Sequence, residues 1–82
     1  MTHAASFYDI PKLPATDFET LATTMRATFM ETPAVLRPCP KCGNPSYVYS
    51  VALNHHVWGS VLEVEFWHTR RIVCNVKWRK DK

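Results

Sequence analysis

Cys39-Pro40-Lys41-Cys42-Gly43 is the segment of this chain whose residue types and spacing most directly imply chemistry. Two thiolates separated by two residues can bind one zinc ion tetrahedrally, because the intervening turn brings both sulfurs to one side. Pro40 stiffens that turn, and Gly43 tolerates the positive φ that a knuckle backbone needs. A redox pair would instead open a helix in a βαβ unit. Here a strand-like run follows the pair. The implied chemistry is metal binding.

Two further ligands are needed, and three arrangements are compatible with the sequence. In the first, Cys39, Cys42 and Cys74 are joined by His68, which starts the turn before a third strand. In the second, His55 or His56 completes the set from a long hairpin loop. In the third, no zinc binds, and Cys74 is a core thiol in register with Ile72, Val76 and Trp78. His55 and His56 also read as an exposed polar loop tip. A two-cysteine, two-histidine finger is excluded. Twelve residues separate Cys42 from His55, but no histidine follows His56 until His68.

The elements that position these groups follow from periodicity. Pro11 and Pro14 mark residues 1–15 as an extended N-terminal arm, and residues 16–82 form a single small domain. Thr16-Asp17-Phe18-Glu19 is a capping-box sequence, with Phe18, Leu21, Ala22, Met25 and Phe29 recurring at helical spacing after it. The expected helix covers about 16–31 and stops before Pro33. A zinc-knuckle turn at 37–45 then leads into strands at about 47–53, 61–67 and 71–78, with residues 54–60 as a loop. The expected fold is therefore α+β, zinc-ribbon-like, with one N-terminal helix packed on a three-stranded antiparallel sheet. The helix is expected on the face bearing Tyr47, Tyr49, Phe66 and Ile72.

Catalysis finds little support. The chain has no GxSxG elbow, HExxH helix or Walker loop, and its two glycines exclude most phosphate-cradling loops. Glu63 and Glu65 share one strand face and read as surface partners for Lys77. Any zinc here would be structural, and its binding energy would be folding energy. That suits 82 residues, close to the size below which domains usually need a staple. The protein is expected to be no enzyme.

Binding surfaces remain. Residues 1–36 hold Lys12 and Arg26 against Asp9, Asp17, Glu19 and Glu31, whereas the remainder is basic and ends in KWRKDK. Arg70, Arg71, Lys77, Arg79, Lys80 and Lys82 could contact nucleic-acid phosphates or an acidic partner. Val48, Trp58, Trp67 and Val73 could form a partner surface or a homodimer contact. Phe7, Tyr8 and Ile10 could equally fold back across that face. With no membrane-span pattern and no secretory signal, a cytoplasmic (intracellular) location is expected.

Arg37-Pro38-Cys39-Pro40-Lys41-Cys42-Gly43-Asn44 and Arg71-Ile72-Val73-Cys74-Asn75-Val76-Lys77 resemble the two knuckles of small phage and prophage zinc-ribbon proteins, nearest the restriction-alleviation family. The resemblance covers residues 37–77, and the first knuckle carries its specificity. The N-terminal helix departs from the family's pattern, as does Lys77 where a fourth thiolate would stand. The resemblance implies a small, phage-derived accessory protein that binds a host protein and modulates a host defence system.

Overall fold

The computed structural model describes residues 7–31, 33–68 and 72–82. A 3-10 turn at Phe7–Asp9 precedes helix α1, Ala15–Phe29. Four strands follow: β1 Arg37–Pro38, β2 Pro45–His56, β3 Gly59–His68 and β4 Val73–Asp81. They form one antiparallel sheet in the order β1-β2-β3-β4. The α+β expectation holds, but the sheet has four strands rather than three. The added strand is β1, the two residues before the knuckle, pairing Arg37 with Ser46 and Pro38 with Pro45. Two residues carry no periodicity, so alternation could not reveal it.

Helix α1 lies on one face of the sheet. Phe18 and Ala22 pack with Leu62, Val64 and Phe66 of β3, and Val51, Leu53, Val76 and Trp78 close around them. Its capping box does not form. Pro14 occupies the N-cap without a side-chain cap, and Glu19 pairs with Lys80 instead. At the far end Thr28 is buried and donates to the Thr24 carbonyl at 2.8 Å, while Phe29 is exposed.

The face expected beneath the helix requires a correction. A bulge between Val48 and Ser50 resets the alternation of β2. Before it, Val48 points into the core and Tyr47 is exposed; after it, Val51 and Leu53 point in. Tyr47 and Tyr49 therefore lie on the outer face, where Tyr49 stacks on Trp67 at 4.5 Å and 6°. Ile72, also expected in the core, precedes β4 and is exposed.

The ladder between β2 and β3 runs on to His56↔Gly59, leaving Val57-Trp58 as a tight turn in place of the expected longer loop. Gly59 is required there. Its φ is +153°, and a Cβ would collide with the Lys80 carbonyl oxygen.

The arm folds back along the free edge of β4. Leu13 N–H donates to the Arg79 carbonyl at 2.8 Å, and Arg79 N–H donates to the Pro11 carbonyl at 2.9 Å. Leu13 joins the core, whereas Phe7 and Ile10 line a cavity of about 280 Å³ with Val61 on the outer face. The N-terminal arm thus covers part of that face.

Candidate metal centre

Cys39 and Cys42 are placed by the turn that joins β1 to β2. Cys39 N–H donates to the Asn44 carbonyl at 2.9 Å, and Gly43 N–H donates to the Cys39 carbonyl at 2.7 Å. These two bonds close the loop. Gly43 adopts φ +77°, the left-handed conformation inferred for the knuckle.

His68 ends β3 and Cys74 lies near the start of β4, where Phe66↔Cys74 pairing brings it beside the knuckle. The His68 Nε2 lies 3.2 Å from Cys42 Sγ and 3.1 Å from Cys74 Sγ. Cys42 and Cys74 sulfurs are 4.0 Å apart. With Cys39, all four ligand atoms lie within 4.8 Å of one another. A group this close can hold a metal ion.

The spacing and donor chemistry fit zinc. Zn–S and Zn–N bonds of about 2.3 and 2.0 Å give tetrahedral edges of roughly 3.5–3.8 Å. The sulfur–sulfur and sulfur–nitrogen separations bracket that range. Cys39 and His68 are buried, Cys74 is half-buried and Cys42 is exposed, so the group sits at the sheet's rim.

Outer groups orient the donors. His68 Nδ1 lies 3.4 Å from the Pro45 carbonyl. A carbonyl only accepts, so Nδ1 carries the proton and Nε2 presents its lone pair to the sulfurs. Asn44 Nδ2 donates to Cys42 Sγ at 3.4 Å. The Asn44 backbone N–H holds the Cys42 thiol below its ordinary 9.0, with Cys39 and Cys74 adding to the effect. Burial pushes the Cys74 thiol up, and its sulfur neighbours push it further. Cys42 is thus a readier thiolate than Cys74, which depends more on a cation to ionise.

Asn44, Pro45 and Ser46 were not singled out from residue types. Ser46 is fully buried, and its Oγ donates to the Arg37 carbonyl at 2.9 Å, fastening β1 to β2. Their position immediately after Cys42-Gly43 is the signal that could have found them.

His55 and His56 lie at the opposite end of β2. His55 Nδ1 contacts Ser60 Oγ at 2.9 Å, and His56 packs edge-on against Phe7. Eight residues of strand separate Ser46 from His55, on the order of 25 Å or more. Neither reaches the cluster.

The basic residues are dispersed. Lys77 pairs with Glu63 at 3.6 Å, and Lys80 pairs with Glu19 and lies over the Phe18 ring. Arg79 has a side chain only 12% exposed, pairs with Asp81, donates to the Ile10 carbonyl at 2.8 Å and lies over Phe7 and Tyr8. Lys82 is exposed; Arg70 and Arg71 lie outside the described residues. Trp67, Val73 and Trp58 are exposed, whereas Val48 is half-buried against the core.

No helix among the described residues is long and apolar enough to cross a membrane. The chain matches no family model, no curated protein and no solved structure.

Proposed function

We propose that this protein is a non-enzymatic interaction module in which structural zinc fastens the knuckle to the sheet and the outer sheet face meets a partner protein. The closed donor set carries this reading. Cys39, Cys42, His68 and Cys74 supply four ligands, which completes a tetrahedral site and leaves no coordination position for substrate. Catalytic zinc keeps such a position open.

The outer face supports the second half of the reading. Tyr47, Trp67 and Val73 occupy one row across β2, β3 and β4, and the Tyr49 ring lies flat on Trp67. All four are exposed, with Trp67 at 41% and Tyr49 at 52%. Aromatic groups fixed by a sheet offer contact area at little entropic cost. The resemblance to prophage restriction-alleviation proteins points to a host protein as the partner and modulation of a defence system as the outcome. A nucleic-acid role fits less well, because Lys77, Arg79 and Lys80 are already engaged in intramolecular ion pairs.

A photo-crosslinking amino acid placed at Trp67 in living host cells tests the reading, with exposed Thr23 on α1 as the control site. A discrete protein adduct from position 67 and none from position 23 is expected. Adducts to nucleic acid instead, or no adduct, would overturn it.

A further inference from the structure

The two edges of the sheet are treated differently. Along β4 the chain caps its own edge, with Pro11–Leu13 exchanging backbone hydrogen bonds with Arg79. Along β2, strand β1 covers only Pro45 and Ser46. Among the described residues, Tyr47–His56 has no strand or bridge on its outer side. Ten residues of strand expose an edge about 33 Å long.

Natural edges are usually blunted by lysine, other charges, proline or a bulge. Tyr47–His56 contains no Lys, Arg, Asp, Glu, Pro or Gly. The bulge between Val48 and Ser50 interrupts one end but leaves Ser50–His56 in regular register with β3. That stretch is unprotected, and its alternate N–H and C=O groups face outward ready to pair.

We propose that this edge binds a second copy of the chain, β2 to β2 and antiparallel, about a two-fold axis at Leu53. Self-pairing sets Leu53 against Leu53, Ala52 against Asn54, Val51 against His55 and Ser50 against His56. No like charges meet along that seam at neutral pH. Lys77, Arg79 and Lys80 lie on β4, two strand spacings or about 10 Å from the edge, where salt screens their repulsion. An acidic or basic partner would find no charge on the strand to select it, whereas a second copy needs only this matched backbone. The dimer is one eight-stranded sheet with both helices on one face and both Tyr49–Trp67 stacks on the other. This inference goes beyond the interaction module and does not rest on the metal centre.

Sedimentation of the full metal-loaded chain from about 1 to about 200 µM tests it, since mass action makes dimer rise with concentration. Ala52→Lys with Asn54→Lys puts lysine opposite lysine across the seam and should weaken association at least tenfold. Within one chain position 52 faces Glu63, so the fold accommodates the first substitution. Hydrogen exchange gives an independent reading. In the dimer every amide of Ser50–His56 is protected, whereas a single copy protects only alternate ones. A monomer across the range, a dimer indifferent to the lysine pair, or alternate protection at high concentration would each overturn the proposal.

Discussion

At one end of the sheet, Cys39, Cys42, His68 and Cys74 converge within 4.8 Å. At the other end, Arg79 holds the N-terminal arm through Asp81, the Ile10 carbonyl and the rings of Phe7 and Tyr8. The second end is complete as it stands. Its cation has an anion, its backbone edge is paired, and Lys12 adds a 3.4 Å contact to Asp81. The first end gathers three sulfurs and an imidazole that have mainly one another as partners, an arrangement that gains its stability when a cation joins it. A small domain can thus carry a self-sufficient clamp at one end and, at the other, a donor set close enough to hold a metal ion.

The largest effect should come from removing the metal. A core of this size supplies roughly 3–5 kcal/mol, less than a structural zinc site contributes. Chelation, or Cys74→Ser, should therefore abolish cooperative unfolding of the whole domain as followed by circular dichroism. A native-like transition after chelation would place both ends on the same footing.

Next in size is Gly59→Ala at the arm end. Its backbone sits at φ +153° against the Lys80 carbonyl, so a cost of about 3 kcal/mol is expected in denaturant titrations. Arg79→Ala should cost about 2 kcal/mol through lost charge-assisted hydrogen bonds, with Arg79→Lys recovering only part of it. Metal stoichiometry should stay intact in both variants, because the two ends are closed separately.

Acid acts on both ends in the same direction but at different pH. Arg79 holds the Asp81 carboxyl below its ordinary 3.8, and Lys80 holds Glu19 below 4.5. Lowered carboxylates contribute fully above those ordinary values and lose their contribution only as pH falls through the lower folded ones. Thiolates reprotonate and release metal at higher pH. The acid-unfolding midpoint should therefore coincide with zinc release, and Asp81→Asn should leave that pH unchanged. A midpoint that moves with Asp81→Asn would make the arm the weaker end.

The smallest stability effect belongs to Trp67→Ala. Losing its exposed stack with Tyr49 should cost about 0.5–1 kcal/mol in thermal melts while removing much of the proposed partner surface.

Much of this was legible from residue types. Thiolates separated by two residues with Gly43 after them mark the knuckle, and His68 and Cys74 belong to the first of the three arrangements compatible with the sequence. The helix and three long strands followed from periods that packing enforces. What escaped were features with no period. The two-residue β1 was too short to alternate, and one inserted residue at the bulge turned Tyr47 and Tyr49 outward and Val48 inward. The capping box failed for a tertiary reason, because Glu19 found Lys80, 61 residues away in sequence. Arg79 read as a free phosphate-binding cation, because nothing local in KWRKDK reveals that the arm returns to enclose it.

Native mass spectrometry of the intact protein and its histidine variants addresses the metal centre most directly. One zinc per chain is expected, retained in His55→Ala and His56→Ala and lost or greatly weakened in His68→Ala. A folded protein without zinc, or zinc that survives His68→Ala and is lost in His55→Ala, would contradict the four-ligand site at the knuckle.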